Sequence, residues 1–372
     1  MAKVKILIHD YAGHPFQVQL SRSLAARGHR ITHAYATFLQ TPRGALERRT
    51  DDPENFSIQG LGISRPFAKH KFLQRRFQEV EYGRRAAAFI ENLKPDWVIS
   101  GNTPTEAQAR LLRASRKCGA GFVSWVQDFY GIAVDKLLRR KLPLAGALIG
   151  GYYKRLDRKI MRQSDRIIVI TEDFAPLLSS MGIPADRVTV IENWAPLEDL
   201  PTRPKDNAWA RAQGLADKFC FVYSGTLGMK HNPGLLAALA EHFRDDPQVR
   251  ILVISEGPGV DWLRNEAQQR GLQNLVLMPF QPFECMPDVL GCADVLVAIL
   301  EPDAGVFSVP SKVLTYLCAG KPLLAAMPAE NLAARTIKRA GAGSVVRTEH
   351  NGDFLAAGAR LRNAGVELHK TG

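Results

Sequence analysis

The stretch DRIIVITEDFAPLLSSMGIPADRVTVIEN (residues 165–193) decides the fold class. Its first part, DRIIVIT, is a short apolar run rich in β-branched residues, which indicates a buried strand. EDFAPLLSSMG follows with the acidic start and the final glycine of a short helix, and VTVIEN returns to a strand pattern. A strand, a helix and another strand in succession form a βαβ unit, whose strands lie parallel in one sheet. This stretch therefore predicts an α/β protein.

The same alternation extends over both halves of the chain. VKILIHD (4–10), RITHAYA (30–36) and FVSWVQD (122–128) indicate further strands, with helical patterns between them. The segment 193–207 contains three prolines and no periodicity, and the alternation starts again at KFCFVYSGTLG (218–228). The sequence thus predicts two α/β segments separated by a linker.

These boundaries define the predicted domains. A chain of 372 residues is long enough for two domains of roughly 100–200 residues each. We predict two doubly wound, Rossmann-like domains at 1–192 and 208–350, a linker at 193–207 and a C-terminal tail or helix at 351–372. Sheets of this type bind ligands at the carboxyl ends of their strands. We therefore expect the two domains to face each other across a cleft.

Composition excludes several classes of protein. Apolar residues make up 46% of the chain and charged residues 23%, which are ordinary globular values. No apolar run reaches the ~20 residues of a membrane-spanning helix. The start, MAKVKILIHDY, lacks the apolar core and cleavage site of a secretion signal, so a cytoplasmic location is expected. The five cysteines match no zinc spacing and are expected to be reduced and buried.

Positive charge is concentrated in the first half. Residues 61–165 hold 21 Lys and Arg against 9 Asp and Glu, which accounts for the whole net charge of +12. Within this region, DKLLRRKLPLAGALIGGYYKRLDRKIMRQSD (135–165) interleaves basic and apolar residues, as in helices that lie on anionic membranes. We identify Arg139, Arg140 and Lys141 as candidate membrane contacts. A solvated basic helix face remains an alternative, and nucleic acid is not expected because no nucleic-acid-binding motif accompanies the segment.

Common catalytic motifs are missing from the sequence. No G-x-G-x-x-G follows the first strand, and G-x-x-x-x-G-K-[ST], H-E-x-x-H and G-x-S-x-G do not occur. A nicotinamide dinucleotide enzyme, a P-loop enzyme, a zinc protease and an α/β-hydrolase therefore have no support.

Three glycine- or serine-containing turns of the second half suggest an anion site. YSGTLGMKHNP (223–233) places Gly225, Thr226 and Lys230 after a strand, SEGPG (255–259) follows the next one, and VPSK (309–312) brings Ser311 and Lys312 to a helix start. Glycine lets backbone N–H groups approach an anion, and helix N-termini attract phosphate. Ordinary turns with solvated lysines are the alternative. Because the turns would converge at one sheet edge, we favour a phosphate site.

In the first half, AGHP (12–15) places Gly13 and His14 at the equivalent edge, and Asp128 directly follows a strand. Asp128 is a candidate base or acceptor-orienting group. A helix cap or an arginine partner is the alternative for Asp128, and a plain turn residue is the alternative for His14.

Taken together, these stretches resemble the GT-B-fold retaining glycosyltransferases of family 4, closest to the branch that builds bacterial exopolysaccharide, colanic acid and O-antigen units. The resemblance extends from about residue 4 to about residue 346. It is carried by YAGHPFQVQLSRSLAARGHRITH, WVQDFYG, SDRIIVITEDF, VIENWAP, YSGTLGMKHNP, SEGPG, ADVLVAIL and VPSKVLTYLCAGKPLLA.

The resemblance implies roles for single residues. The second domain would hold a nucleotide sugar and the first the acceptor, with Asp128, Lys230 and Lys312 as the catalytic set and Gln127 in place of the family's usual histidine. His14 would lie on the acceptor and membrane side. The donor would be bound by Gly13, Gly225, Thr226, Lys230, Glu256, Phe280, Gln281, Ser311, Lys312 and Thr315.

One position departs from the family pattern. Thr315 stands where a glutamate usually binds the nucleotide ribose, and Phe307 stands eight residues earlier, where a second glutamate is common. Glu301 and Asp303 in the preceding loop are the carboxylates that could replace it. The C-terminal segment also looks like a shortened form of the helix that ends GT-B chains.

The resulting functional hypothesis is a retaining transfer of sugar from a UDP- or GDP-linked donor to a lipid-linked saccharide acceptor. It would proceed without a bound metal or other cofactor, at the inner face of the cytoplasmic membrane, in surface polysaccharide synthesis. Two alternatives remain: a nucleotide-sugar epimerase of the same fold, and a degenerate transferase that only binds a nucleotide sugar or a partner.

Overall fold

The computed structural model describes residues 3–39, 46–68, 71–228, 231–302 and 309–371. The chain forms two compact units, Met1–Trp194 and Ala195–Gly372. Residues 195–207 of the predicted linker thus belong to the second unit, where Lys205 forms an ion pair with Asp294.

The first unit is built on a parallel sheet of seven strands in the order β3-β2-β1-β4-β5-β6-β7. The strands are β1 Lys5–Asp10, β2 Arg30–Ala36, β3 Phe56–Leu61, β4 Trp97–Gly101, β5 Gly121–Val126, β6 Arg166–Val169 and β7 Val188–Val190. The helices are α1 Pro15–Ala26, α2 Phe72–Leu93, α3 Thr105–Lys117, α4 Tyr130–Lys141, α5 Pro143–Gln163 and α6 Ala175–Ser180. The strand order changes direction between β1 and β4, which is where such sheets bind ligands.

The second unit repeats the plan with six parallel strands in the order β10-β9-β8-β11-β12-β13. The strands are β8 Phe219–Ser224, β9 Val249–Ile254, β10 Leu275–Met278, β11 Val295–Ile299, β12 Leu323–Ala326 and β13 Gly343–Val346. The helices are α7 Ala208–Ala212, α8 Pro233–His242, α9 Pro258–Arg270, α10 Met286–Gly291, α11 Lys312–Cys318, α12 Leu332–Arg339 and α13 Asn351–Thr371. Here the strand order changes direction between β8 and β11.

Burial explains why these segments form parallel strands. In β8 and β11 every residue is buried, because helices cover both faces of the sheet. The C-terminal helix α13 contributes Phe354 and Ala357 to the same core, so the predicted shortened C-terminal segment is an integral part of the second unit.

The fold class is confirmed, and the structure adds elements that the sequence pattern did not reveal. Strand β3 and helix α2 lie in a stretch without a clear periodic signal, and β13 is short and half exposed. The basic segment 135–165 is not one helix. It forms α4 and α5, separated at Leu142, because Pro143 begins a new helix there.

Helices α4 and α5 pack closely as a hairpin. A Cβ atom at Gly146 would collide with the carbonyl group of Leu138, and one at Gly150 would collide with Asp135. Asp135 accepts a hydrogen bond from Arg139 of its own helix and another from Lys154 of α5, and the second bond links the two helices. Within the described part of the chain, no helix is long and apolar enough to cross a membrane.

Candidate functional site

A buried lysine amine lies against the end of β8. The Nζ atom of Lys312, the first residue of α11, lies 3.5 Å from the centroid of the Tyr223 ring and is shielded from solvent. Among the described residues it has no hydrogen-bond partner. Burial holds the pKa of Lys312 well below its usual value of 10.5. An unpaired buried amine is costly, so this position is suited to an anionic ligand.

Because Gly225 has no side chain, there is room beside it for the amine of Lys312. Its φ of +119° is a conformation that side chains other than glycine rarely adopt, and a Cβ atom there would lie 3.3 Å from Lys312 Nζ. The sequence predicted Gly225 and Lys312 in one anion site, and the structure brings them into contact.

Two tyrosines hold the turn in place. The hydroxyl of Tyr316 donates to the carbonyl of Ser224 at 2.9 Å and accepts from its N–H at 2.8 Å. The hydroxyl of Tyr223 donates to the carbonyl of Thr226 at 2.8 Å. The end of β8 is therefore fixed by buried hydrogen bonds before any ligand arrives.

The other predicted donor residues of the second unit differ in their exposure. Thr226 and Glu256 are exposed, while Phe280 and Thr315 are half-buried. The side chain of Gln281 is already engaged, because its Oε1 accepts from Trp209 Nε1 at 3.2 Å. Three residues named in the sequence analysis lie outside the described ranges: Lys230, Asp303 and Phe307.

Ser311 and Lys312 lie at the start of α11, as predicted. The helix begins at Lys312, and Ser311 precedes it without forming a side-chain cap. The carbonyl groups of Pro310 and Ser311 accept bonds from residues three positions later, so the chain enters the helix through a tight turn. Glu301 is half-buried after β11.

In the first unit, β1 ends in a hydrogen-bonded pair, Asp10 and His14, that the sequence analysis missed. The buried carboxylate of Asp10 accepts from the N–H of Ala12 at 3.1 Å, from the N–H of His14 and from His14 Nδ1 at 3.1 Å. Burial would lower the pKa of His14, but the charges of Asp10 and Asp128 raise it overall. Gly13 forms this turn with a φ of +79°. The sequence signal for Asp10 is a carboxylate at a strand end before a glycine turn.

A cavity of about 290 Å³ lies where β1, β4 and β5 end, and α2, α4 and α5 also line it. Gln127 and Asp128 belong to its wall. Asp128 is exposed, whereas Gln127 is buried and accepts from Asn193 Nδ2 at 2.6 Å. The cavity therefore occupies the place where the strand order changes direction.

Helices contribute charged groups to this cavity that sequence reasoning also missed. Arg75 of α2 donates through Nε to Glu79 at 2.7 Å and lies 3.4 Å from the hydroxyl of Tyr130. Asp157 of α5 accepts from the hydroxyl of Thr105 at 2.7 Å, and burial raises its pKa to about 6. These residues stand in helices without any recognisable motif.

The structure describes the side chain of only one of the three predicted membrane contacts, Arg139. Arg139 is paired with Asp135 at 2.8 Å, and the side chains of Arg140 and Lys141 lie outside the description. The hairpin and the start of α2 also carry exposed apolar side chains. We call this surface the apolar patch, which consists of Leu73, Phe77, Leu137, Leu142, Leu144 and Leu148. Leu144 is 87% exposed and Leu148 is 78% exposed.

Helix α2 joins the apolar patch through a hydrogen-bonded link. Leu73 and Phe77 flank Arg76, whose Nη2 lies 2.8 Å from Glu106. The same carboxylate accepts from the hydroxyl of Tyr152 on α5 at 3.3 Å.

The described residues contain no group of three His, Cys, Asp or Glu side chains that could hold a metal ion. That the protein works without a metal remains a prediction.

Comparison with known proteins agrees with this arrangement. Residues 14–194 match the family model described as a glycosyl transferase 4-like domain. The Escherichia coli (strain K12) protein named as colanic acid biosynthesis glycosyl transferase WcaI is 28% identical over 235 residues, which are 61% of this chain and 56% of that relative. The chain thus matches little more than half the length of this relative.

Two solved structures share the fold. The Anabaena protein HepE in complex with UDP-glucose has a TM-score of 0.67 at 16% identity, covering 99% of this chain and 91% of HepE. WaaG, a glycosyltransferase involved in lipopolysaccharide biosynthesis, has a TM-score of 0.64 at 16% identity, covering 97% and 93%. These matches confirm the resemblance drawn from the sequence. The chain has the GT-B fold, and residues 14–194 are similar to the glycosyl transferase 4-like domain.

Proposed function

We propose that this protein is a glycosyltransferase that moves a sugar from a nucleotide diphosphate sugar to a lipid-linked saccharide acceptor in surface polysaccharide synthesis. The observation that carries the proposal is the amine of Lys312, which is buried against Gly225 and has no hydrogen-bond partner among the described residues. A diphosphate would supply the missing negative charge. Relatives act on or bind compatible molecules: HepE was solved with UDP-glucose, and WcaI is named for colanic acid biosynthesis.

Each candidate residue has a role in this proposal. Lys312, with Lys230 as predicted from the sequence, would stabilise the negative charge that develops on the departing diphosphate. Asp128 would orient the acceptor or accept its proton, and the hydrogen-bonded pair of Asp10 and His14 would fix the neighbouring turn. Retention of the anomeric configuration, and transfer without a metal, are part of the proposal because family 4 enzymes of this fold work in that way.

The acceptor side of the proposal depends on the apolar patch. Six exposed apolar side chains on α2 and on the basic hairpin of α4 and α5 offer apolar area that lipid acyl chains could cover. Such a surface would hold the protein at an anionic membrane, where a lipid-linked saccharide resides. We propose peripheral association with the inner face of the cytoplasmic membrane for this reason.

The test combines a binding and a transfer measurement. Purified protein is screened for thermal stabilisation by UDP, GDP and their sugar derivatives, because a ligand that binds only the folded state raises the melting temperature. The nucleotide that stabilises it is then supplied as a labelled sugar donor with a bacterial membrane lipid extract. We expect label in the lipid fraction, and retention of configuration by NMR of the released product.

The alternatives give different results in the same experiment. A change of the sugar's configuration without acceptor would identify an epimerase. Binding of a nucleotide sugar without transfer or epimerisation would identify a binding protein. Lys312→Met should abolish transfer and weaken nucleotide binding, and normal transfer by that variant would refute the phosphate assignment.

A further inference from the structure

The turn after β10 contains an amide side chain whose orientation is fixed from both ends. The Oε1 atom of Gln281 accepts from Trp209 Nε1 at 3.2 Å, and its Nε2 atom donates to the carbonyl of Pro279 at 3.0 Å. An indole N–H can only donate and a proline carbonyl can only accept. Both partners therefore require the same placement of the amide oxygen and the amide nitrogen.

The nitrogen is the more accessible end of this amide. The oxygen end lies against Trp209 of α7, which is half-buried, whereas the nitrogen end lies against Pro279, which is exposed. An amide nitrogen carries two hydrogen atoms, and Pro279 takes one of them. Gln281 therefore offers an N–H donor, rather than an acceptor, to a ligand at the end of β10.

This donor lies at the same edge of the sheet as the amine of Lys312. Strands β8, β9 and β10 are parallel neighbours, so the end of β10 is two strand spacings, about 10 Å, from the end of β8. Lys312 lies against the end of β8, where the proposed function places the diphosphate. The ribose and base of a nucleotide span a distance of that order, so the base of the same ligand can reach Gln281.

Nucleotide bases differ in the group that they present to such a donor. Uracil and guanine carry a ring carbonyl at the position where cytosine and adenine carry an amino group. A carbonyl oxygen accepts from an N–H group, whereas an amino group is itself a donor and would leave the amide unpaired. A fixed N–H donor therefore favours the bases that carry the carbonyl.

We propose that Trp209 is a positioning residue that orients Gln281, and that the oriented amide selects nucleotides with a carbonyl-bearing base over those with an amino-bearing base. The inference rests on the proposed function, in which the second unit binds the nucleotide. It adds to that function a residue of α7 and a physical reason for the choice of base.

The test measures the affinity of the full chain for two matched pairs of diphosphates by titration calorimetry. UDP is compared with CDP, and IDP, whose base has the carbonyl of guanine without its amino group, is compared with ADP. We expect the carbonyl-bearing member of at least one pair to bind at least about tenfold more tightly, since the other member loses a hydrogen bond and leaves a donor unpaired.

Three variants assign this preference to the oriented amide. Trp209→Phe removes the indole N–H and lets the amide turn, and Gln281→Met removes the amide, so each should lower the affinity ratio about 3- to 10-fold. Gln281→Met changes a half-buried turn residue, and it tests the amide even if Trp209→Phe does not fold. Trp262→Phe makes the same change at a tryptophan that packs against the core of the same unit, and it should keep the wild-type ratio.

Inorganic pyrophosphate separates selection of the base from a general structural role. Trp209→Phe should bind pyrophosphate as the wild type does, because the proposal assigns Trp209 to the base alone. The inference is overturned if CDP and ADP bind as tightly as UDP and IDP, if Trp209→Phe or Gln281→Met keeps the wild-type ratio, or if Trp209→Phe weakens pyrophosphate as much as UDP. Nucleotide binding persists in these cases, and the proposed function stands. If the wild type binds neither a nucleotide nor pyrophosphate, the inference and the proposed function are both refuted.

Discussion

Lys312 Nζ lies 3.5 Å above the ring of Tyr223, although 89 residues separate the two in sequence. A cation held over an aromatic ring gains about 0.5–2 kcal/mol, which is less than the several kcal/mol that a buried ion loses with its hydration. The contact therefore does not by itself make burial of this amine favourable. Burial therefore favours the neutral form of the amine, and an anionic ligand at the end of β8 would favour the charged form.

This relationship predicts opposite effects of Lys312→Met on stability and binding. Without ligand, methionine fills similar space and removes the cost of burying the amine, so the melting temperature should rise by about 2–4 °C for each 1 kcal/mol gained. Affinity for the stabilising nucleotide should fall at least tenfold, which is about 1.4 kcal/mol. Scanning calorimetry and titration calorimetry measure the two quantities. Lys338→Met, at an exposed lysine of the same unit, is the control. A variant that is less stable and still binds nucleotide normally would contradict the assignment.

The stability difference should also depend on pH. Because the folded pKa of Lys312 is far below 10.5, the unfolded chain holds a proton that the native protein lacks. Stability of the wild type relative to Lys312→Met should therefore increase as the pH rises toward 10.5. Comparing the two melting temperatures at about pH 7 and about pH 9 checks the sign. A constant difference across this window would mean that the amine keeps its charge when folded.

Gly225→Ala tests the space that the amine needs. The new methyl group would lie 3.3 Å from Lys312 Nζ, on a backbone with a φ of +119°. We expect nucleotide affinity to fall because the amine must move. Gly271→Ala is the matched control, since Gly271 also has a positive φ but no neighbour within 4 Å of the added atom. Both variants should lose stability through backbone strain of order 1–3 kcal/mol. Equal nucleotide affinities of the two variants would contradict the prediction.

Features that depend on local sequence patterns could be predicted from the sequence. Apolar runs and glycine turns located most strands and marked Gly225 and Lys312, because a parallel sheet brings strand ends to one edge. The contact of Lys312 with Tyr223 and Gly225 depends on β8 and β11 being neighbours, which no local pattern reveals. The strand order is a property of the whole domain.

The cavity of the first unit was harder to foresee. Arg75 and Asp157 stand in long helices where charged residues usually face solvent, and only tertiary packing brings them to the ends of β1, β4 and β5. Asp10 was overlooked because its partner His14 is in the adjacent turn, and the pair is visible only as a hydrogen bond. The positive charge of segment 135–165 can be read from the sequence. The exposure of Leu144 and Leu148 cannot, because it depends on how α4 and α5 pack as a hairpin.

Two buried histidines of the first unit predict acid sensitivity. Burial lowers the pKa of both His9 and His33 to about 4 from 6.5. Each histidine is therefore neutral in the folded state and charged in the unfolded chain below pH 6.5, so stability is lost as the pH falls toward 4. The loss is about 2 kcal/mol per histidine between about pH 7 and about pH 5.

His33→Gln isolates one of these contributions. Urea unfolding of the wild type and the variant at the two pH values gives the difference in free energy of unfolding at each. Raised or lowered pKa values elsewhere, such as that of Asp157, affect both proteins alike and cancel. We expect the wild type to lose about 2 kcal/mol relative to the variant at the lower pH. If the difference does not change with pH, His33 is not titrating in this range.

Membrane association predicts separate apolar and electrostatic contributions. Replacing Leu144 and Leu148 by serine removes two exposed leucines of the apolar patch, each worth about 1.5–3 kcal/mol when fully buried. Binding to vesicles that contain anionic lipid should fall at least tenfold, at both low and high salt. Neutralising Arg139, Arg140 and Lys141 should reduce binding mainly at low salt, because salt screens exposed charges. Leu197→Ser, at an exposed leucine outside the patch, is the control. Vesicle binding that is insensitive to the leucine changes would assign any attachment to charge alone, and the apolar patch would then have no role in holding the lipid-linked acceptor.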